Sequence, residues 1–174
     1  SSRLQSQASG QARCPSTGFA AMSAAADAES HTAKLKEQGR LTTMDTAAYQ
    51  GREQPAGPLA ELFVGNLNGS TTESWCPDCR CAVPVVLSAL LECGSLPLVS
   101  VGVGERDDWK MDARGASNPF RAESGLALTG VPTLRLLGGD GKEVARLGSE
   151  LEDPDVEKMA SLVRAALAQH YPSS

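Results

Sequence analysis

Residues 96–104, LPLVSVGVG, are apolar on both faces of a strand, with Ser100 the one polar side chain. Such a strand has to be covered from above and below, which requires a layered domain with this segment in the middle of a sheet. A second apolar run of strand length, LAELFV, lies at 59–64. Between the two, CRCAVPVVLSALLEC has the length and composition of a helix, interrupted at Pro84.

The C-terminal part reads as clearly. VPTLRLLGGDGKEVARLG is two β-type runs around GGDGK, and Asp-Gly there signals a hairpin turn. DPDVEKMASLVRAALAQH follows as a helix, with Asp153 as cap and Pro154 in the first turn. Its apolar residues Val156, Met159, Ala160, Val163, Ala166 and Leu167 trace one face. NPFRAESGLAL predicts a helix capped by Asn118 with Pro119 at its first position, and TTMDTAAYQ a short helix with a Thr cap. GERDDWK reads as a solvated face, and Trp109 and Phe120 as core. The order strand, helix, strand, helix, hairpin, helix predicts an α/β fold, a central mixed sheet flanked by helices.

The chain's 174 residues fit one domain with length to spare. Residues 41–172 are assigned to the domain. Residues 1–40, rich in Ser, Ala and Gln, are expected to be a disordered tail. An Arg-bearing start without acids before Asp27 also resembles a transit segment or translated upstream sequence, with Met22 as the real start. The net charge of −5 and pI of about 5.1 argue against nucleic acid and anionic membranes as partners. No apolar run reaches the length of a membrane span.

Four of the five cysteines, Cys76, Cys79, Cys81 and Cys93, fall within eighteen residues, and Cys14 stands apart. That clustering reads as a site rather than a scaffold of staples, and a reducing, cytoplasmic compartment is the expectation. Trp75-Cys76-Pro77-Asp78-Cys79 opens the helical run after strand 59–64. With Cys76 at the helix start, Pro77 sits where its missing N–H is harmless. The helix's free N–H groups then favour the Cys76 thiolate, the nucleophilic form. Cys79, one turn on, comes round to the same side and resolves a mixed disulfide on Cys76. Asp78 opposes ionisation of Cys76 by its charge, assists proton movement at Cys79, or simply stabilises the helix start. Trp75 shields the thiols, forms a docking surface, or packs. Far downstream, Pro132 is a cis-proline candidate that would present the Val131 backbone as an edge for an extended substrate; the plainer reading is a strand-entry proline.

Zinc is the main competing chemistry. Cys76, Cys79, Cys81 and Cys93 have the right ligand type, but only one paired knuckle is present. Residues two apart on a helix do not share a face, which turns Cys81 away from the pair. Cys81 and Cys93 then read as small buried or half-buried thiols, with a regulatory disulfide involving Cys81 as the lesser alternative. No metal ligand set is assigned. His31, in the tail, and His170, near the last helix end, are not placed to serve as base or ligand.

Trp75-Cys76-Pro77-Asp78-Cys79, Pro84 and Val131-Pro132-Thr133 together resemble the thioredoxin fold. The Pro-Asp interior, the loop GNLNGSTTES, PVV at 84–86, GVGERDDWK and NPFR are similar to the thioredoxin domain-containing protein 17 family, over residues 58–168. The resemblance implies a thiol-disulfide oxidoreductase with no bound cofactor, recharged by thioredoxin reductase and NADPH. It implies action on cystine-like small disulfides and on oxidised or nitrosylated protein thiols, by a monomer that is a poor reductase of thioredoxin's usual protein clients. The enlarged loop gives a physical reason, since it would crowd the client-docking face. The chain departs from ordinary thioredoxins at Leu62, where they carry a buried Asp, with Glu61 beside it. A binding module switched by the redox state of the pair is the remaining reading.

Overall fold

The computed structural model describes residues 19–110, 118–122 and 126–172. The elements in chain order are α1 (Phe19–Glu37), β1 (Leu41–Met44), α2 (Thr46–Gly51), β2 (Leu59–Val64), α3 (Pro77–Glu92), β3 (Leu98–Gly102) and α4 (Arg106–Trp109). They continue with β4 (Thr133–Leu137), β5 (Glu143–Leu147), a 3-10 turn (Ser149–Glu152) and α5 (Val156–His170). The five strands form one mixed sheet in the order β1-β3-β2-β4-β5. β3 runs parallel to β1 and β2, while β4 is antiparallel to both β2 and β5. The strand at 98–102 is central, as its two apolar faces require, and all five of its residues are buried. The α/β architecture read from the sequence is the one observed.

Helix α3 is flanked by α1 and α5. Its buried residues Cys79, Ala82, Val83, Val86, Leu87 and Leu90 supply much of the core. The expected interruption at Pro84 does not occur. The helix runs through, and the lost N–H leaves one carbonyl at the first turn without its partner while packing on both sides holds the axis. On β2, Leu62 alternates with Glu61 and Phe63, so their side chains turn to opposite faces of the sheet. Phe63 meets Tyr49 of α2 and Phe120 edge to face, with ring centroids 5.4 and 5.4 Å apart. That places Glu61 in the layer of α2. Glu61 is fully buried there, paired with Arg52 and with Arg135 at 2.9 Å, and it accepts the Tyr49 hydroxyl at 3.1 Å.

Several expectations are corrected. The disordered tail expected over residues 1–40 does not hold for residues 19–37, which form α1: the lack of bulky side chains hides a helix that packs through small alanines and Leu35. Residues 1–18, and with them Cys14, lie outside the described residues. His31 accordingly sits on α1 rather than in a tail. The segment Leu41–Met44 is a strand, and the cap of α2 is Asp45, which accepts the Ala48 N–H at 2.7 Å, rather than a Thr. Asn118 starts a turn, not a helix, in the described part of its segment. Its amide ties loops together instead, donating to the Val103 carbonyl at 2.7 Å and accepting the Phe120 N–H at 3.0 Å. The cap of α5 is Asp155, because the 3-10 turn delays the helix start; Asp153 pairs with Lys158. Trp109 and Phe120 are core, as expected. Among the described residues, no helix is long and apolar enough to cross a membrane.

Candidate active site

The chain leaves β2 through Gly65, where a Cβ would stand 2.9 Å from both the Trp75 ring and the Cys76 Cβ. Only glycine lets the end of the strand pass this close to the cysteine motif. The loop that follows is stapled from inside by Asn66. Its amide donates to the Ser70 and Glu73 carbonyls at 2.8 and 2.6 Å, and its oxygen accepts the Gly69 N–H at 2.7 Å. Gly69 has φ +74 and fits beneath the Ser100 and Met44 carbonyls. Thr71 meets Thr32 of α1 at 2.7 Å in a buried hydroxyl pair. The enlarged loop is thus held against both the strand ends and α1.

Ser74 closes the loop onto the motif. Its hydroxyl donates to the Gly65 carbonyl at 2.8 Å and accepts the Cys76 N–H at 3.1 Å. The Trp75 backbone N–H also reaches the Gly65 carbonyl, at 3.0 Å, and its indole N–H donates to the Gly104 carbonyl at 3.0 Å. Trp75 is half-buried, anchored at its polar end.

Cys76 is the N-cap of α3 and Pro77 its first residue. The Cys76 sulfur accepts the Cys79 N–H at 3.4 Å, as the helix-start reading requires. It also lies 3.4 Å from the Val131 carbonyl oxygen, and the Val131–Pro132 peptide is cis. The structure therefore brings Trp75, Cys76, Pro77, Asp78, Cys79, Val131 and Pro132 to one place, at the N-terminus of α3 and the start of β4.

The two thiols are driven apart electrostatically. The Cys76 thiol is lowered to about 7, foremost by the hydrogen bond with the Cys79 side chain. Burial works against this, the N–H groups of Cys79 and Asp78 add to it, and the Asp78 charge opposes it most weakly. Asp78 is exposed, so its charge is screened and its backbone N–H helps the thiolate. Cys79 is fully buried and its thiol is pushed well up, first by burial and then by its neighbour Cys76. A lowered and a raised thiol in contact are a nucleophile and a held proton.

The remaining cysteines do not join them. Cys93 caps the far end of α3, about 25 Å along the helix axis from Cys76, and burial pushes its thiol up. Cys81 is half-buried, as expected, but it is disulfide-bonded rather than a thiol. No group of three or more possible metal ligands occurs among the described residues. The four-cysteine zinc arrangement is thereby set aside. His170 ends α5. Sequence reasoning missed Gly65 and Ser74. Ser74 stands next to Trp75, but nothing in the spacing says that its hydroxyl faces back to the strand end.

Beside the motif, the loop, α1, the first turn of α3 and Leu151–Pro154 enclose a groove of about 410 Å³. Cys79 and the exposed Glu73 and Asp78 are among its lining residues.

Residues 32–163 match the family model for the thioredoxin domain-containing protein 17-like thioredoxin domain. The thioredoxin-like protein Clot of Oryza sativa subsp. japonica is 33% identical over 141 residues, covering 75% of this chain and 97% of that protein. Clot of Arabidopsis thaliana is 39% identical over 80 residues, 45% of this chain and 57% of that protein. Thioredoxin domain-containing protein 17 of Epinephelus coioides is 38% identical over 89 residues, 49% of this chain and 65% of that protein.

Proposed function

The chain belongs to the thioredoxin domain-containing protein 17-like family, a thiol-redox family, and on that premise we propose that Cys76 and Cys79 form a dithiol that reduces disulfides. The observation that carries this reading is the place of the Cys76 sulfur, at the N-terminus of α3 and 3.4 Å from both the Cys79 N–H and the Val131 carbonyl oxygen; in that place its thiol is lowered to about 7 while burial pushes Cys79 up. A thiol with a value near 7 is about half ionised at neutral pH, against a few per cent for an ordinary cysteine.

In the first step the Cys76 thiolate attacks one sulfur of the substrate disulfide. One thiolate leaves, and a mixed disulfide joins Cys76 to the other half. In the second step Cys79 gives up its proton and attacks the Cys76 sulfur. The Cys76–Cys79 disulfide forms, and the second half departs as a thiol carrying that proton. The substrate gains two electrons and the protein loses two. Val131 offers a backbone edge beside Cys76 along which an extended substrate adds as a strand does. Trp75 and Pro77 border the thiols on the other sides.

The resting dithiol is restored by thioredoxin reductase drawing on NADPH, with no cofactor bound to this chain. Small disulfides such as cystine, and oxidised or nitrosylated thiols of proteins, are the substrates we assign. The stapled loop beside the motif limits the approach of large clients. A reducing compartment such as the cytoplasm suits this cycle.

NADPH consumption with thioredoxin reductase, this protein and cystine tests the proposal. Turnover that disappears in Cys76→Ser, with little activity on insulin, is expected. No NADPH oxidation with any disulfide would reject it, and strong insulin reduction would replace the small-disulfide assignment with a general one.

A further inference from the structure

Two features border the reactive pair, the Val131 edge and the groove, and one side chain belongs to both. Glu152 ends the 3-10 turn and lines the groove together with Cys79. Its carboxylate also lies against Gly130, where a Cβ would stand 2.9 Å from the Glu152 Oε1. Gly130 directly precedes Val131, whose carbonyl oxygen is 3.4 Å from the Cys76 sulfur. The bare backbone at Gly130 leaves room for a negative charge beside the segment that meets the nucleophile.

That charge is not neutralised within the described residues. The acids next to it are engaged: Glu150 accepts the Gly148 N–H at 2.9 Å, and Asp153 pairs with Lys158 and accepts the Asp155 N–H. Among the described residues, no cation or hydrogen-bond donor engages the Glu152 carboxylate, which is exposed. The groove around it has the same sign. Glu73 and Asp78 line it, and Arg80 is its one cationic lining residue among those described. Ala28, Val83, Leu151 and Met159 add apolar wall. A cleft of one dominant sign with apolar walls focuses its field on whatever approaches.

We propose that Glu152 sets the charge preference of the site: it favours small disulfides that carry an ammonium group close to the sulfur and disfavours those that carry a carboxylate there. The inference rests on the dithiol reading and names the class of small disulfide that reacts fastest. The bonds made and broken are those of the two steps above. Glu152 acts on the arm of the approaching substrate, not on the reacting sulfurs, so its effect falls on the second-order rate and is sensitive to salt.

Three disulfides with matched two-carbon arms separate charge from shape: cystamine, with two ammonium groups, neutral bis(2-hydroxyethyl) disulfide, and 3,3′-dithiodipropionate, with two carboxylates. Each is mixed in excess with the reduced full chain, in which Cys14, Cys81 and Cys93 are replaced by serine. Acid quenching and counting of the remaining thiols give the second-order rate of Cys76–Cys79 disulfide formation. Glu152→Gln is expected to lower the cystamine rate, relative to that of the neutral disulfide, about twofold to fivefold, the scale of one exposed charge pair. It should raise the relative rate of 3,3′-dithiodipropionate by a similar factor and leave the neutral disulfide within about twofold. Glu152→Lys should move both ratios further in the same directions, and Glu152→Asp should keep most of the preference. In about 1 M salt, where charges act over only about 3 Å, the parent protein's ratios should approach those of Glu152→Gln.

Ratios that stay unchanged in Glu152→Gln and Glu152→Lys would overturn this inference alone. So would equal slowing of all three disulfides, since that assigns Glu152 to holding the turn. A parent protein that reacts with none of the three would end the dithiol reading, and this inference with it.

Discussion

The sulfur of Cys76 lies 3.4 Å from the carbonyl oxygen of Val131, a residue 55 positions away in the chain. The helix start and the start of β4 meet at that contact, and every part of the proposed chemistry is arranged around it. A thiol whose value is lowered to about 7 and a backbone edge beside it are what attack on an approaching disulfide requires.

The pH dependence of Cys76 follows from this geometry. Its reaction with iodoacetamide should rise through a midpoint of about 7 and level off above it, because only the thiolate reacts. Cys79 should stay unmodified across that range, since its thiol is pushed upward and is fully buried. Asp78→Asn removes a charge that opposes ionisation, so its midpoint should fall, with roughly twofold faster alkylation at pH 6. A midpoint that rises instead would mean that the Asp78 carboxylate helps the thiolate.

Glu61 carries stability rather than chemistry. Glu61→Leu leaves Arg52 and Arg135 facing a hydrophobic side chain and should lower the unfolding free energy by about 3 kcal/mol in urea titration. The alkylation midpoint of Cys76 should not move, because the carboxylate lies in the α2 layer. A shifted midpoint would show that the charge is felt across the sheet.

Gly69→Ala is expected to unseat the loop. The added Cβ would stand 2.3 Å from the Ser100 carbonyl, at a φ of +74 that side chains rarely adopt. A loss on the order of 1–3 kcal/mol is expected, together with faster amide exchange in residues 65–74. Unchanged protection of that segment would contradict the stapled loop.

At α5, Asp155→Ala should cost about 1 kcal/mol through the lost cap on the Lys158 N–H. Asp153→Ala removes an exposed ion pair with Lys158 and the bond from the Asp155 N–H, which lies before the helix, and should cost less. Thermal melts of the two variants decide which residue starts the helix.

The difference between those two aspartates shows where sequence reasoning stops. The sheet, the hairpin and α3 were legible because apolar periodicity and Asp-Gly chemistry act locally. The reactive pair was legible because Pro77 and the spacing of Cys76 and Cys79 already describe a helix start. Caps and boundaries depend on where a preceding turn ends, which is why Asp153 stood in for Asp155. Helix α1 was missed because its alanines carry almost no periodic signal, and it is held by α3 and the Thr32–Thr71 contact rather than by its own composition. Ser74 and Gly65 were missed because their roles exist only once β2 and the motif are folded against each other.

The central claim, that Cys76 attacks and Cys79 resolves, is tested most directly by intact-mass analysis of the reduced protein, with Cys14, Cys81 and Cys93 replaced by Ser, and of its variants after incubation with cystine. The account predicts that this parent protein loses two hydrogens and keeps no adduct, Cys79→Ser retains one half-cystine on Cys76, and Cys76→Ser retains none at position 79. A stable adduct on Cys79, or a parent protein that cystine leaves unchanged, would contradict it.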